Sequence, residues 1–334
     1  MVYPENAVIM APIAGHTDLP MRLSAARHGC KYAFTEMVDA GSLVYAVKKT
    51  ARLMERAPEE KFLGIQLVGS DPQILEQAVK IINDMNYDVL DFNLGCPAPK
   101  VAKKGEGITL ALKDPDLAIR CVDTLVKHSR IPVTAKTRIQ SETDPDLTVQ
   151  FCKRLENAGI SALTLHGRVM KVFYSGPVFF DIIRTVRENL KIQLIANGGA
   201  LTPAAYHELL QQSTCNCGMV ARGAMGNPWI FKGINGDPAY APTVEEFADE
   251  LEQHVHEMIQ FYGEEQGFKI CRKTVLDYLK GRGFASSMRA SVSFLSEFDT
   301  FNKMLAEIRQ GPSPRYWEFL EAHPEDVERQ LRRH

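Results

Sequence analysis

The chain has 334 residues, 45% of them hydrophobic and 24% charged, with a formal net charge of −2 and seven cysteines without zinc-ligand spacing. The near-neutral charge argues against a protein that coats nucleic acid indiscriminately. The absence of an apolar run of roughly 18 residues, or of a basic N-terminal leader, argues against a membrane or secreted protein. We therefore expect a cytoplasmic monomer with reduced cysteines, no membrane partner and no metal.

Strand-like runs alternate with amphipathic segments along most of the chain. Eight such repeats within about 225 residues are typical of a TIM barrel. A doubly wound sheet would normally have fewer strands and a glycine-rich first turn, and Ala14-Gly15-His16-Thr17 does not have that pattern. The α/β pattern therefore predicts a TIM (β/α)8 barrel. The predicted strands are Val8–Ile13, Tyr32–Thr35, Leu63–Val68, Val89–Leu94, Pro132–Thr137, Ala162–Leu165, Gln193–Ala196 and Gly218–Ala221.

The pattern changes after the last predicted strand. Glycine and proline accumulate between Gly233 and Pro242, as in a linker, and Thr243-Val-Glu-Glu246 is a capping-box start. Only helical patterns follow, with one more short helix expected over residues 312–334. The sequence thus predicts a barrel domain over residues 1–235 and a smaller all-helical C-terminal domain over residues 243–334.

Charge is distributed unevenly in the predicted helical domain. Between Glu245 and Glu265 there are eight acidic residues and no Lys or Arg. Between Lys269 and Arg289 there are six basic residues and one acid, a local net charge of +5. The overall charge therefore conceals a basic patch.

The segment Asp88–Pro97 shows the clearest sign of chemistry. Its apolar run indicates a strand covered on both faces, but Asp91 and Asn93 interrupt it, and burying either side chain is unfavourable without a hydrogen bond. Gly95-Cys96-Pro97 follows directly. Taken alone, Cys96 fits a free core cysteine at a strand-loop junction better than an active site.

Polar residues also follow the other predicted strands. In a TIM barrel the chemistry collects at the C-terminal ends of the strands. The third strand supplies Gln66, and Lys136 and Arg138 lie two apart at the end of the fifth, so their side chains share one face. The sixth, seventh and eighth strands end with His166 and Arg168, with Asn197, Gly198 and Gly199, and with Ala221 and Arg222.

The last two strand ends predict a phosphate site. The loops after strands seven and eight form the standard phosphate site of this fold. The backbone N–H groups of Gly198 and Gly199 can approach a phosphate closely, and Arg222 adds charge. Each feature alone also has a structural explanation, since Gly-Gly is often a turn and Lys136 could pair with an acid. Together they indicate a phosphate-anchored planar cofactor with a cation near its ring.

Several of these motifs, in this order, resemble the tRNA-dihydrouridine synthase family of FMN enzymes over nearly the whole chain. The family usually has Asn-Gly-Asp after strand seven, where this chain has Gly199, so a side-chain role there is in doubt. Ala221 replaces a common glycine. The matching segments are Met10-Ala-Pro-Ile-Ala-Gly-His-Thr-Asp18, Asp91-Phe-Asn-Leu-Gly-Cys-Pro97, Lys136-Thr-Arg138, His166-Gly-Arg168, Ala196-Asn-Gly-Gly199 and Ala221-Arg-Gly-Ala-Met-Gly-Asn-Pro-Trp229.

The resemblance implies a two-step reduction of uridine in tRNA to 5,6-dihydrouridine. NADPH reduces FMN, and hydride then passes from N5 of FMN to C6 of the base. Cys96 is the expected proton donor to C5, since a thiol with a pKa of about 8.5 is mostly protonated at neutral pH. Lys136 and His166 are the other expected catalytic residues. The expected FMN contacts are Pro12, Ile13, Ala14, Gln66, Asn93, Lys136, His166, Asn197, Gly198, Gly199, Ala221 and Arg222.

The resemblance also implies that the helical domain helps to hold tRNA. The target uridine has to leave its stack to reach a buried pocket, so recognition should rest on RNA shape, stacking and phosphate contacts. We expect the loop Ala98–Thr109 to be a mobile lid that carries Cys96. The residues expected to contact RNA or the base are Arg138, Arg168, Arg272, Lys273, Lys280 and Arg282.

Two other functions fit parts of this pattern. An FMN reductase of a free pyrimidine would use the same barrel, but a small substrate needs no basic helical extension. An RNA-binding protein that has lost catalysis would fit the change at Gly199, but not the presence of both Cys96 and Lys136.

Overall fold

A computed structural model describes residues 1–312 and residue 322. Nearly all of the helix expected over residues 312–334 therefore lies outside the described residues. The chain divides into two compact units, which are described separately below. The barrel unit contains Met1–Asp18, Cys30–Ala200 and Ala204–Ala221, and the helical unit contains Leu19–Gly29, Leu201–Pro203 and the chain from Arg222 onward.

Eight parallel strands form the barrel unit, in the order β1-β8-β7-β6-β5-β4-β3-β2. A parallel bridge between Ile9 and Tyr32 links the first two strands, where the Met10 N–H donates to the Tyr32 carbonyl at 2.8 Å. The TIM-barrel prediction is confirmed. The strands are β1 Val8–Met10, β2 Ala33–Asp39, β3 Leu63–Val68, β4 Val89–Leu94, β5 Val133–Arg138, β6 Ala162–His166, β7 Gln193–Asn197 and β8 Cys217–Val220.

Two strand ends, those of β1 and β2, differ from the prediction by more than one residue. β1 ends at Met10, before Pro12, which has no N–H to continue a strand ladder. β2 continues to Asp39, beyond the predicted end at Thr35, because a register shift between Phe34 and Met37 restores its pairing with β3.

Helices form most of the remaining regular structure of both units. No described helix is long and apolar enough to cross a membrane. The helices are α1 Leu19–Arg27, α2 Ala40–Tyr45, α3 Val47–Thr50, α4 Pro72–Ile82, α5 Pro99–Ala102, α6 Ile108–Lys113, α7 Pro115–His128, α8 Pro145–Asn157, α9 Phe180–Asn189, α10 Pro203–Ser213, α11 Ile230–Asn235, α12 Val244–Tyr262, α13 Glu264–Leu279, α14 Ser286–Ser291 and α15 Phe298–Ile308. Single 3-10 turns occur at Ala51–Met54, Met170–Val172, Arg222–Ala224 and Val292–Phe294.

Three outer helices of the barrel begin with the same local signal. Asp71, Asp114 and Asp144 each cap a helix by accepting a backbone N–H, and each is followed by proline at the start of α4, α7 or α8. Proline suits this position because its missing N–H would have no partner within the helix. The Asp-Pro pairs therefore determine where these helices start.

Strand register places the predicted polar residues on the barrel interior. Asn93 pairs with Lys136, Arg138 with His166, and His166 with Asn197. Because side chains alternate along a strand, paired residues of parallel neighbours point to the same side. The apolar layer of the interior contains Tyr3, Ala7, Ile9, Ala11, Phe34, Val89, Ala162, Ile195, Cys217 and Met219.

The helical unit contains only helices and turns among its described residues. Its core is apolar and aromatic, with Trp229, Phe247 and Tyr278 in mutual ring contact. Thr243 and Glu246 form the predicted capping box at the start of α12. The prediction of a helical C-terminal region is confirmed, whereas the domain limits at residues 235 and 243 stay a prediction.

Candidate active site

The polar end of β4 holds the loop that carries Cys96. The Asn93 side-chain oxygen accepts the backbone N–H of Gly95 at 3.1 Å and that of Cys96 at 2.9 Å. A Cβ on Gly95 would lie only 3.3 Å from the backbone of Lys136 and Thr137. Glycine thus lets the loop leave β4 close against β5, and Asn93 orients the amide of Cys96.

A chain of hydrogen bonds runs from Cys96 into the barrel. Because Asn93 accepts from two amides with its oxygen, its Nδ2 donates to Gln66 Oε1 at 2.8 Å. Gln66 Nε2 then donates to Asp91 Oδ2 at 2.7 Å, and Thr134 donates to Asp91 Oδ1 at 2.7 Å. Each amide orientation follows from the next, so the network allows one arrangement of the three strand side chains.

Asp91 is the acid at the inner end of this network. Burial raises the pKa of Asp91 to about 6, although the hydrogen bonds from Gln66 and Thr134 and the charge of Lys136 oppose that shift. Its partners in the network are neutral, so desolvation of the carboxylate outweighs them.

Cys96 combines partial exposure with a protonated thiol. It is half-buried, whereas the other six cysteines are buried, and all seven are free. Burial raises the pKa of Cys96, and the charge of Glu106 raises it further, while Arg138 and Lys136 lower it. The thiol therefore starts protonated, with two cations near enough to stabilise the thiolate that remains when its proton leaves.

Lys136 places a cation inside the barrel. Its Nζ donates to Asn197 Oδ1 at 3.0 Å, and Asn197 Nδ2 donates to the Met219 carbonyl at 2.9 Å. Burial lowers the pKa of Lys136 to about 8, and the nearby Arg138 lowers it as well. Lys136 is thus still mostly charged at neutral pH. Its hydrogen-bond partner Asn197 is a neutral amide, so its charge can attract an anionic ligand.

His166 and Arg168 lie together at the end of β6. Both are buried, and Arg168 Nη1 lies 3.3 Å from His166 Nε2. A guanidinium can only donate, so Nε2 accepts and the ring proton lies on Nδ1. Arg168 Nε also donates to the Gly176 carbonyl at 3.0 Å. The contact fixes the tautomer of His166, an expected catalytic residue and FMN contact.

Arg138 connects two loops at the C-terminal end of the barrel. It is 2% exposed, and its Nε donates to the Gly95 carbonyl at 2.8 Å. Nη1 donates to the Phe173 carbonyl at 2.6 Å, and the guanidinium lies 5.3 Å from the centre of the Tyr174 ring. Arg138 therefore braces the loop after β4 against the loop after β6. Its expected contact with RNA or the base stays a prediction.

The turn after β1 presents backbone to solvent at the expected position. Pro12 and Ile13 are half-buried and Ala14 is exposed. The Ile13 N–H donates to Thr17 Oγ1 at 2.9 Å, and the Gly15 N–H donates to the Glu36 carboxylate. These bonds fix a turn whose backbone a flat ligand could approach.

Two glycines shape the end of β7. A Cβ on Gly198 would come within 3.0 Å of His166 Cδ2, so only glycine leaves room for the imidazole. Gly199 has φ +77°, a left-handed conformation that glycine adopts without strain. Glycine therefore suits this backbone, and the N–H groups of the turn remain suited to a phosphate.

The remaining predicted cations belong to the helical unit. Ala221 is the last residue of the barrel unit and Arg222 the first of the next helical-unit segment, so their expected sharing of one phosphate stays a prediction. Arg222 lies near enough to Lys280 to contribute, after burial, to the lowered pKa of that lysine. Lys273 is exposed on α13.

Two arginines of the helical unit act as braces. Arg272 Nε donates to the Leu295 carbonyl at 2.9 Å, and Arg282 Nη2 donates to Asn227 Oδ1 at 3.0 Å. The Arg282 guanidinium also lies over the Trp229 and Phe247 rings, 5.4 and 5.1 Å from their centres. The expected RNA contacts of both arginines stay predictions.

Glu106 is a residue that the sequence analysis missed. It is 8% exposed, and its Oε2 makes no hydrogen bond with any described residue. Burial raises the pKa of Glu106, and Asp39 raises it further, against the opposing charge of Lys104. A lone acid between two glycines in a lysine-rich loop was the available signal, but nothing in the pattern showed that its carboxyl is buried.

The segment 98–109, expected as a long loop, contains α5 and the start of α6. Lys104 Nζ pairs with Asp39 Oδ2 at 2.5 Å, which joins this segment to the end of β2. Gly107 has φ +61°, and a Cβ there would lie 2.6 Å from the Cys96 carbonyl oxygen. The segment is thus folded against Cys96, and its expected movement stays a prediction.

No group of three or more His, Cys, Asp or Glu side chains within the described ranges could hold a metal ion. The residues that could hold a cofactor are those at the strand ends, where Lys136, His166 and the Asn197–Gly199 turn converge through β5, β6 and β7. Their chemistry suits a phosphate and a planar ring that carries negative charge.

Comparison with solved structures bears on the fold. Histamine dehydrogenase from Rhizobium sp. 4-9 has a TM-score of 0.50 at 12% identity, over 69% of this chain and 45% of that one. The 6-hydroxypseudooxynicotine amine oxidase from Pseudomonas geniculata N1 has a TM-score of 0.53 at 10% identity, over 69% of this chain and 47% of that one. At such low identity the likeness shows a shared barrel fold, and this chain spans less than half of either protein.

Comparison with sequences identifies the family. The dihydrouridine synthase family model matches residues 9–309. A tRNA-dihydrouridine synthase B of Vibrio vulnificus is 35% identical over 290 residues, which cover 85% of this chain and 90% of that protein. Its counterpart from Pasteurella multocida is 33% identical over 282 residues, which cover 83% of this chain and 85% of that protein. A probable tRNA-dihydrouridine synthase of Rickettsia conorii is 32% identical over 309 residues, which cover 90% of this chain and 92% of that protein. The resemblance expected from the motifs is confirmed, and the chain belongs to the dihydrouridine synthase family.

Proposed function

We propose that this protein reduces the C5–C6 double bond of specific uridines in tRNA to 5,6-dihydrouridine, with FMN as its flavin and NADPH as reductant. One observation carries the proposal beyond family membership. Asn93 orients a half-buried, protonated thiol at Cys96 at the end of a barrel strand that pairs with the strand of Lys136. A proton donor and a cation on adjacent strands are the two groups that such a reduction needs from the protein.

The strand-end residues fit FMN by their chemistry. In the Asn197–Gly199 turn only Asn197 carries a side chain, so no other side chain obstructs a phosphate. A side chain at Gly198 would crowd His166, because its Cβ would lie 3.0 Å from His166 Cδ2. Lys136 would hold negative charge on the ring, and Gln66, His166 and the turn at Pro12–Ala14 would contact its edges and face. These residues would hold FMN, which, when reduced by NADPH, would supply the hydride for C6 of the uracil.

Cys96 supplies the proton that completes the reduction. As C6 gains hydride, C5 becomes basic, so the S–H bond of Cys96 breaks and a C5–H bond forms. The product is a thiolate, which Lys136 and Arg138 stabilise through their charge. The thiol recovers its proton from water before the next turnover. The chain of Asn93, Gln66 and Asp91 holds the amide of Cys96 in place while its proton moves.

The other groups bind and orient the substrate. Arg168 keeps the proton of His166 on Nδ1, so that nitrogen can donate towards a carbonyl of the base or the cofactor. The cations of the helical unit, Arg272, Lys273, Lys280 and Arg282, would hold the phosphates of tRNA. We further propose that the protein acts as a monomer in the cytoplasm.

The proposal is tested on unmodified tRNA with NADPH, using mass spectrometry of the digested RNA to locate any uridine that gains two hydrogens. Cys96→Ala should lower the rate of this gain about a hundredfold or more, because it removes the general acid. Oxidation of NADPH without tRNA should be unchanged, because that step uses no proton from Cys96. Cys121→Ala is a matched control, since it removes a buried thiol from the outer helix α7.

Three outcomes would contradict the proposal. A yellow protein that oxidises NADPH but leaves tRNA unchanged would favour a free pyrimidine as substrate. A colourless protein that binds RNA would favour a family member without catalysis. Full activity in Cys96→Ala would require a different proton donor.

A further inference from the structure

The outer face of α13 and the segment that follows it form a basic surface in the helical unit. Lys269 and Lys273 are exposed on one side of α13, and Lys280 follows directly after the end of the helix. Leu276, on the same side of α13, is 41% exposed. Between Tyr278 and Ser296 the chain has three basic residues and no acid. A partner of this surface should therefore be anionic.

An aromatic ring projects from this surface. Phe294 is 76% exposed, although its neighbours Val292 and Leu295 are 0% and 1% exposed. Those two residues belong to the core of the helical unit and anchor the 3-10 turn Val292–Phe294 from both sides. The anchored turn fixes the direction of the backbone, so Phe294 cannot reach the core without unpacking it.

The turn that presents Phe294 is bonded to the basic helix. Arg272 of α13 donates through Nε to the Leu295 carbonyl at 2.9 Å, and the Leu295 N–H donates to the Val292 carbonyl at 3.2 Å. Arg272, a cation of α13, therefore holds the turn that presents the ring. Exposed Ser293 and Ser296 flank it with hydroxyl groups.

We propose that Phe294 is a stacking platform for an unpaired base of the RNA substrate, with the cations of α13 holding the adjacent phosphates. Proteins that bind single-stranded nucleic acid combine a positive surface with aromatic side chains on which bases stack. A double-stranded RNA would offer the phosphates but no free base for the ring. The inference rests on the proposed function, because it assumes that the substrate is an RNA with unpaired bases.

The test measures binding of an unmodified tRNA transcript at fixed salt to wild type, Phe294→Ala, Phe294→Leu and Phe294→Trp. Alanine and leucine should each weaken binding about tenfold, because both remove the π face on which a base stacks. Tryptophan should retain the affinity of wild type, and its fluorescence should be quenched by tRNA. The KM for tRNA should rise in the alanine variant with little change in kcat.

Two controls separate stacking from general damage. Val244→Ala truncates an apolar side chain, 37% exposed, at the start of the acidic helix α12 and should bind tRNA like wild type. A blunt RNA duplex of similar length should bind equally to wild type and to Phe294→Ala. NADPH oxidation without tRNA should be the same in every variant, which also shows that the variants are folded.

Three results would overturn the inference. Unchanged tRNA affinity in both the alanine and leucine variants, with an active wild type, would remove the stacking role and leave the proposed function intact. Altered sedimentation of free Phe294→Ala with unchanged tRNA affinity would assign the ring to a contact between copies of the chain. If wild type neither binds nor reduces tRNA, the proposed function itself fails and this inference fails with it.

Discussion

Each unit of the molecule buries a polar network that contains a carboxylate, and the two networks differ in the charge of the groups around that carboxylate. In the barrel unit, Asp91 is hydrogen-bonded to Gln66 and Thr134, which are neutral, and burial raises the pKa of Asp91 to about 6. In the helical unit, Glu250 accepts from Arg27 and His28. The pKa of a buried carboxylate depends on whether its hydrogen-bond donors are charged, because only charged donors offset the desolvation of the ion.

The network around Glu250 joins α1 to α12 and α13. Ser24 donates to Glu250 Oε1 at 2.7 Å, its Oγ lies 3.3 Å from the Tyr278 hydroxyl, and that hydroxyl lies 3.0 Å from His254 Nδ1. Burial acts to raise the pKa of Glu250, but the hydrogen bonds from His28, Arg27 and Ser24 outweigh it and hold that pKa at about 2. This network stabilises helix packing, whereas the barrel network ends on the amide of a reactive cysteine.

The largest expected effect is on the charged network. Glu250→Ala should lower the free energy of unfolding of the helical unit by about 3 kcal/mol, because Arg27 and His28 lose the carboxylate that compensates them. Denaturant titration measures it. Glu265→Gln, which breaks the exposed pair with Lys269, is the matched control and should leave stability unchanged. Equal losses of stability in Glu250→Ala and Glu265→Gln would show that the buried pair contributes no more than the exposed one.

The pH dependence of stability should have opposite signs for the two acids. The pKa of Glu250 is lowered to about 2 in the folded state. The stability that Glu250 contributes is therefore complete above its unfolded pKa and is lost as pH falls from that value towards 2. The pKa of Asp91 is raised to about 6 in the folded state, so on acidification the folded protein takes up this proton at a higher pH than the unfolded chain. Burial of the carboxylate therefore destabilises the barrel above pH 6, and the destabilisation decreases as pH falls towards 4. The Asp91 effect should be on the order of 3 kcal/mol.

Denaturant titrations between pH 3 and 7 measure this contrast. Asp91→Asn should remove the part of the slope in which stability falls as pH rises from about 4 to 6. Glu250→Gln should remove the loss of stability at lower pH and leave that slope in place. A wild-type slope that Asp91→Asn leaves unchanged would show that Asp91 ionises in the same range in both states.

Asn93→Ala should affect catalysis more than stability. It removes the acceptor that holds the amides of Gly95 and Cys96, and misplacing a reacting group can lower the rate about a hundredfold. Single-turnover reduction of tRNA measures this, with tRNA affinity expected to stay constant. Asn83→Ala is a control of the same residue type, since the Asn83 side chain makes two hydrogen bonds to backbone groups on the outside of the barrel. Equal rates for the two variants would remove Asn93 from the positioning of Cys96.

The smallest expected effect is that of Glu106→Gln. The charge of Glu106 helps to raise the pKa of Cys96, so its removal should lower that pKa. A general acid loses activity as pH rises through its pKa, so the alkaline fall in the rate of tRNA reduction should move to lower pH. The rate of thiol alkylation against pH measures the same pKa without turnover. An unmoved alkaline limb would show that Glu106 is ionised too weakly to act on the thiol.

The sequence by itself determined the barrel, the helical C-terminal region and the family. These rest on local signals: apolar strand runs, Asp-Pro helix starts, the Thr243–Glu246 capping box and motifs at strand ends. Each is complete within about a dozen residues, so chain order is enough to read it. The strand ends also predicted which residues would converge, because parallel strands of a barrel end on one face.

Only the tertiary structure decided which atoms meet. The bond from Arg138 to the Phe173 carbonyl, the burial of Glu106 and the pairing of Arg27 with Glu250 each join parts of the chain that no local pattern connects. Whether a carboxyl or a cation is buried, and beside what, depends on register and loop packing, and those set its pKa. The sequence therefore indicated which residues carry the chemistry, and the fold set their protonation and their partners.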